Sequence, residues 1–195
     1  MILIVIAGNI GAGKSTLCET LAKAHNLFYL PEPVQAWIHS NALADFYKTG
    51  NAFAFQTLVL QSRAEAFDNV VQQQTPNIIV ADRWLEEDFD IATANYHLGK
   101  MTIAEYEKYQ DTFKELQNKY KDIKIYRIWL DVQPETCLQR IHQRGRPEEQ
   151  TITLEYLQCL QQHCTTSYDI VLPNTNVQDT MQHIMALPIM CNEFV

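Results

Sequence analysis

Ile2-Leu3-Ile4-Val5-Ile6-Ala7 passes directly into Gly8-Asn9-Ile10-Gly11-Ala12-Gly13-Lys14-Ser15-Thr16. An apolar, β-branched run without alternation reads as a strand buried on both faces. Residues Gly8 to Ser15 fit the pattern GxxxxGK[ST], and Lys14 to His25 has helical periodicity. Glycines in such a loop let successive backbone N–H groups turn inward around phosphate oxygens, and the following helix adds the positive end of its dipole. In that setting Lys14 reaches the β- and γ-phosphates and the Ser15 hydroxyl reaches Mg²⁺. The alternative is a Gly-rich turn with an exposed lysine; the order strand, loop, helix argues against it.

Further apolar runs lie at Asn77 to Ala81, Ile123 to Val132 and Asp169 to Leu172, with a weaker one at Phe28 to Leu30. Helical patterns fill the intervals at Asn51 to Gln74, Leu85 to Leu98, Ile103 to Tyr120, Pro134 to Arg144, Leu154 to Ser167 and Val177 to Ala186. Buried strands alternating with helices predict an α/β fold, a doubly wound parallel five-stranded sheet with helices on both faces. Functional side chains are then expected at the carboxyl ends of the strands. There is no internal repeat or linker, and the 195 residues read as a single domain.

A formal net charge of −8 argues against a chain that coats nucleic acid or an anionic membrane, since both tasks need a basic surface. The expected partners are small molecules. The run Ile2 to Ala7 is too short for a membrane span or a signal peptide, and the five cysteines (Cys18, Cys137, Cys159, Cys164, Cys191) form no CxxC pair. A cytoplasmic protein with reduced thiols is the expectation.

A phosphate loop alone does not separate kinases from other nucleotide-binding proteins. A guanine-reading Asn-Lys-x-Asp element is missing; Asn176-Val177-Gln178-Asp179 lacks the lysine. Glu32-Pro33 follows the weak second strand, so Glu32 falls at the active edge, where a carboxylate can accept the proton of an attacking hydroxyl. Asp82-Arg83 ends the strand Asn77 to Ala81; Asp82 can reach Mg²⁺ or its water, and Arg83 can bridge the acceptor oxygen and the migrating phosphoryl group. Arg140, Arg144 and Arg146 crowd together and repel one another until an anion arrives, which suits a lid over residues 140–150 that closes on ATP. A solvated helix end facing Glu148 and Glu149 is the plainer alternative.

In order and spacing these motifs resemble the cellular and viral deoxynucleoside kinases, the group that includes deoxycytidine, deoxyguanosine and deoxyadenosine kinases and the insect broad-range enzyme. The resemblance rests on Gly8 to Thr16, on Glu32-Pro33-Val34 with Trp37, on Phe53-Ala54-Phe55-Gln56-Thr57, on Asp82-Arg83, and on Arg144 to Gln150 leading into Leu154-Glu155-Tyr156-Leu157. It implies a P-loop kinase fold with an Arg-rich lid and a homodimer through two long helices, Asn51 to Gln74 and Leu85 to Leu98. It also implies ATP-dependent 5′-phosphorylation, with Glu32 as general base assisted by Arg83. Tyr47 and Glu149 look like the pair holding the sugar 3′-hydroxyl, Gln56 like the reader of the base edge, Trp37 and Phe55 like pocket walls, and Arg140, Arg144 and Arg146 like lid arginines.

Arg63 falls two helical turns after Gln56, and Asp88 follows Asp82-Arg83 at the spacing of the cytidine- and purine-preferring relatives. An Arg-fixed carboxylate accepts from an exocyclic amino group and repels the carbonyl of thymine, so amino-bearing bases are expected to be preferred. Trp84 stands where relatives carry a small residue, and Ala92 stands where an aromatic commonly stacks on the base; both lead us to expect a reshaped pocket. The alternatives are a monophosphate kinase of the thymidylate type, which needs additional cations for its acceptor phosphate, and a regulatory subunit without catalysis.

Overall fold

The computed structural model describes residues 1–187 apart from Thr75 and Thr175. Strands β1 (Ile2–Gly8), β2 (Phe28–Leu30), β3 (Ile78–Asp82), β4 (Lys124–Asp131) and β5 (Ile170–Pro173) form an all-parallel sheet in the order β2-β3-β1-β4-β5. Every residue of β1 is buried, as its unbroken apolar run demands of a central strand between two neighbours. Ile6 registers with Asp82 of β3 and Gly8 with Leu130 of β4, so the carboxyl ends of these three strands share one edge. The chain turns outward from β1 in both directions, and a cleft opens at that switch point.

Helix α1 (Lys14–His25) begins behind Gly13 and ends on Asn26, both left-handed. Between β2 and β3 come α2 (Val34–His39), α3 (Ala42–Thr49) and the long α4 (Ala52–Gln74). The two short helices escape periodicity analysis because six and eight residues complete too few turns to establish a 3.6-residue pattern. Then follow α5 (Leu85–His97), α6 (Ile103–Lys119), α7 (Pro134–Arg144), a 3₁₀ turn at Pro147–Glu149, α8 (Leu154–Gln162) and α9 (Val177–Met185). Thr102 and Glu105 cap α6 reciprocally, the Thr102 Oγ1 accepting from Glu105 N and Glu105 Oε2 accepting from Thr102 N. Pro134 opens α7 and a left-handed Gly145 closes it.

Helix α8 stops at Gln162, short of the expected Ser167. Asp90 accounts for the difference: its carboxylate accepts from Thr165 Oγ1 at 2.7 Å and Thr166 N at 3.1 Å, drawing this backbone off the helical path. Trp84 also departs from expectation. It is 1 % exposed and packs edge-on against Phe67 and Tyr120 at 4.9 and 5.4 Å, outside the cleft, so it does not reshape the pocket by lining it. Helix α5 is enclosed by α4, α6 and α8. Cys18, Cys137, Cys159 and Cys164 are free thiols, while Cys191 lies outside the described residues. Among the described residues no helix is long and apolar enough to cross a membrane.

At the start of α5, Glu87 Oε2 accepts from Trp84 N at 2.9 Å, and the carboxylate is 3 % exposed. Burial, with the charge of Glu86 added, raises its pKa to about 7 against the opposing pull of Arg127. The unfolded carboxyl titrates near 4.5. The folded state therefore binds the extra proton between about pH 4.5 and 7, and stability present below that window is lost as pH rises through it. Glu87→Gln keeps an acceptor for Trp84 N and carries no charge. We expect it to raise the thermal midpoint by roughly 2–4 °C at pH 8 relative to the parent chain, with the difference shrinking at pH 5. Melting curves at the two pH values check the sign.

Candidate active site

The loop between β1 and α1 is held in a shape that side chains would obstruct. Gly11 and Gly13 have φ of +83° and +94°. A Cβ at Gly11 would run into the Cys137 backbone, and one at Gly13 would press on the Asn174 amide. Asn9 anchors the loop, its Nδ2 donating to Leu157 O at 2.8 Å and its Oδ1 accepting from Ile10 N at 2.9 Å. Lys14 Nζ donates to Asn9 O at 2.8 Å. Burial, followed by the charge of Arg83, lowers the Lys14 pKa to about 8, which leaves an ammonium short of negative charge at the first turn of α1. An anion at that position supplies what the site lacks.

Arg140 Nη1 donates to Ala12 O and its Nη2 to Asn174 O, at 3.2 and 3.0 Å, while Asn174 Nδ2 donates to Ala12 O at 2.7 Å. Arg140 and Asn174, together with Gly11, Gly13, Lys14, Ser15, Thr16, Arg144, Arg146 and Val177, line an open cleft beside the loop. Ser15 Oγ donates to Asp82 Oδ2 at 2.5 Å. The other carboxylate oxygen, Asp82 Oδ1, is buried without a hydrogen-bond partner among the described residues. A hydroxyl beside an unsatisfied carboxylate oxygen is a donor set that fits a hard divalent cation such as Mg²⁺.

A second cleft, with a cavity volume of about 90 Å³, shares Lys14 and Ser15 with the first. Arg83 adopts φ of +66°, a conformation uncommon for a residue with a Cβ, directly after β3. Its backbone N–H still donates to Ile6 O, and its guanidinium donates to Glu32 Oε1 at 3.0 Å and to Gly8 O at 3.3 Å. Arg63, 1 % exposed, donates to the same Glu32 oxygen at 3.1 Å. It also grips Asp88 through Nε and Nη2 at 2.6 and 3.0 Å and donates from Nη1 to Asp82 O at 2.6 Å. Burial alone would push the Glu32 pKa upward; Arg83, Arg63 and then Lys14 outweigh it and bring the value to about 2. Glu32 is thus an anion at the cleft wall.

Aromatic rings close the cleft. Phe55 meets Trp37 edge-on at 5.6 Å and stacks on Phe46 at 4.9 Å, and Phe46 in turn leans on Tyr47 at 4.9 Å. Gln56 and Asp88 share the wall. Glu149, 5 % exposed, accepts from Arg144 Nη2 at 2.5 Å and from Arg146 Nη1 at 3.1 Å. The three arginines are therefore not left repelling one another: Glu149 neutralises two of them, as the plainer sequence reading allowed for, and carbonyls hold the third.

Glu32, Trp37, Tyr47, Phe55, Gln56, Arg83, Asp88 and Glu149 all line this cleft; Arg63 lies beneath it. Ala92 is fully buried and does not line the cleft, where its neighbour Ile91 does. Sequence reading missed Phe46, Val59, Ile91 and Tyr156 as lining residues and Asn174 beside the loop. Leu154-Glu155-Tyr156-Leu157 was the one signal available for Tyr156; the others lie in elements too short or too featureless to single out. The Asn176 side chain caps α9, accepting from Gln178 N, while Val177 lines the open cleft beside the loop.

A phosphate-binding loop on the central strand, with a carboxylate gripped by arginines in the adjoining cleft, defines a P-loop phosphotransferase. A sequence model described as deoxynucleoside kinase matches residues 4–189. The chain belongs to the deoxynucleoside kinase family. It is 34% identical to the deoxyadenosine kinase of Dictyostelium discoideum over 194 residues, 98% of this chain and 73% of that protein. It is 31% identical to the deoxycytidine kinase of Homo sapiens over 185 residues, 80% of this chain and 71% of the relative. The solved deoxyadenosine kinase of M. mycoides with bound dCTP superposes with a TM-score of 0.79 at 26% identity, covering 94% of this chain and 96% of that one.

Removing Arg63 leaves Asp88 buried with its main partner gone. Arg63→Met is expected to cost about 3–5 kcal/mol of stability. Adding Asp88→Asn, which removes the orphaned charge, should recover part of that loss. Urea unfolding of the single and double variants measures both, and an undiminished cost in the double variant would show that Asp88 is not the group Arg63 neutralises.

Proposed function

We propose that this deoxynucleoside kinase transfers the γ-phosphoryl group of ATP to the 5′-oxygen of a deoxynucleoside. The observation that carries this reading is Glu32, an ionised carboxylate opening on the cleft beside Lys14 and held by Arg83 and Arg63. Glu32 accepts a hydrogen bond from the 5′-hydroxyl, orienting the oxygen for in-line attack. It receives the proton as the new P–O bond forms, when the hydroxyl becomes strongly acidic. Arg83 shifts part of its donation from Glu32 to the phosphoryl oxygens at that stage. The backbone from Gly8 to Thr16 cradles the triphosphate, and Lys14, Arg140, Arg144 and Arg146 offset the charge that spreads over it. Ser15 and Asp82 hold Mg²⁺, which when bound neutralises charge between the phosphates.

For the acceptor, Tyr47 and Glu149 hold the sugar 3′-hydroxyl, Gln56 meets the base edge, and Trp37 and Phe55 flank the ring. Asp88, fixed by Arg63, accepts from an exocyclic amino group, which favours deoxyadenosine, deoxyguanosine or deoxycytidine over thymidine. A monophosphate acceptor is disfavoured because Arg83, the guanidinium beside Glu32 in the cleft, already faces that carboxylate. The proposal includes one domain working in the cytoplasm, without nucleic acid or membrane, as a homodimer in which α4 supplies contact surface. Helix α5, with Leu85, Ala92, Ala94 and Asn95 buried inside the protomer, contributes less to such an interface.

The direct test is turnover by the purified protein with Mg·ATP against deoxyadenosine, deoxyguanosine, deoxycytidine, thymidine and thymidine monophosphate. An amino-bearing deoxynucleoside is expected to lead; activity on the monophosphate alone overturns the acceptor assignment. Glu32→Gln should still bind nucleoside yet lose about 10²–10⁴-fold in kcat. Near-normal turnover by that variant removes Glu32 as the base.

A further inference from the structure

Lys100 follows the left-handed Gly99 in the turn between α5 and α6. Its position is set by backbone bonds at both ends: Lys100 N donates to Asn95 O at 2.9 Å, and Lys100 O accepts from Ala52 N at 3.3 Å. The side chain does not run out to solvent as a surface lysine ordinarily does. Its Nζ sits 4.3 Å from the centroid of the Tyr156 ring and 5.4 Å from that of Phe46. Among the described residues no carboxylate lies within 4 Å of this ammonium. Burial lowers its pKa, the mark of a cation that has given up water without gaining an anion. The faces of the two rings are what compensates it.

Both rings line the cleft assigned to the nucleoside, and they come from two different helices. Phe46 lies on α3, where it stacks on Phe55 and leans on Tyr47. Tyr156 lies on α8, the helix that follows the arginine-bearing segment, and its hydroxyl is bonded to the buried Asn95 amide at 3.2 Å. Neither element is tied to the other by a salt bridge among the described residues. The ammonium is the charged group common to both walls.

We propose that Lys100 is a positioning residue for the acceptor, a cationic clamp that holds Phe46 and Tyr156 at the spacing a nucleoside needs. The residue contacts the walls and leaves the reacting atoms to others, so its effect falls on nucleoside binding. This inference rests on the reading of the cleft as the nucleoside site.

The experiment compares Lys100→Met, which keeps the apolar stem and removes the charge, with Lys100→Arg, which keeps a cation able to lie over the rings. KM for the best deoxynucleoside and for ATP, kcat, and the nucleoside Kd by titration calorimetry are measured for the parent and both variants. The clamp predicts roughly a tenfold rise in nucleoside KM and Kd for Lys100→Met, with kcat and the KM for ATP within about twofold and Lys100→Arg close to the parent. Unchanged nucleoside affinity in Lys100→Met overturns it. So does an equal loss in Lys100→Arg, which assigns the effect to packing rather than charge. Absence of nucleoside binding by the parent protein is a separate result: it overturns the cleft assignment, and the clamp with it.

Discussion

One buried guanidinium organises the wall of the Glu32 cleft. Arg63 reaches Asp88 on α5, Glu32 after β2 and the backbone of Asp82 at the end of β3, so three separately coded elements converge on a single side chain. Burying an arginine is unfavourable unless its donors are met, and here Nε, Nη1 and Nη2 all find oxygen within 3.1 Å. The same network gives Glu32 its character. Burial pushes the pKa of a carboxylate in that position upward; the two guanidinium groups, with Lys14, outweigh it and keep Glu32 ionised far below neutral pH.

That network requires a backbone able to deliver its members. Parallel strands with buried faces end together, and the register of Ile6 with Asp82 sets the Asp82-Arg83 pair beside the phosphate loop. From there Arg83 turns through a left-handed conformation, which an L-residue adopts at some cost in strain. Its N–H keeps the bond to Ile6 O, its guanidinium gains Glu32, and Arg63 Nη1 approaches its carbonyl at 3.3 Å. These contacts offset the strain and fix the direction of the side chain.

The central strand, the loop and most helices were legible because their signals are local. An unbroken apolar run, GxxxxGK[ST], and helices of eleven residues or more each declare themselves within one window of sequence. Glu32, Arg83 and Glu149 were legible only as members of an ordered set, since a lone Glu or Arg in a loop carries no such information. What could not be read was the outcome of long-range pairing. Arg63 was read as the partner of Asp88, yet nothing near it in sequence announces its bond to Glu32, thirty-one positions away. Trp84 looked like a pocket residue by its place beside Arg83, but Phe67 and Tyr120 draw it to the other side of the chain. The end of α8 was misread because Asp90, far upstream, takes hydrogen bonds from Thr165 and Thr166.

A chain of net charge −8 can still concentrate positive potential locally, and the partners of its cations show where it does so. Four guanidinium groups are matched by carboxylates: Arg83 and Arg63 by Glu32 and Asp88, Arg144 and Arg146 by Glu149. At the phosphate loop Lys14 and Arg140 bond to neutral carbonyls, and among the described residues no carboxylate lines the open cleft there. Hydrogen bonds to carbonyls satisfy donors without cancelling charge, so positive potential is concentrated at the start of α1, where the helix dipole adds to it. An uncharged molecule gains little from that potential, whereas an anion gains most where the cations have only carbonyl partners. The proposed placement of the triphosphate at the loop, and of the neutral nucleoside against the aromatic wall, is the one this distribution of charge favours.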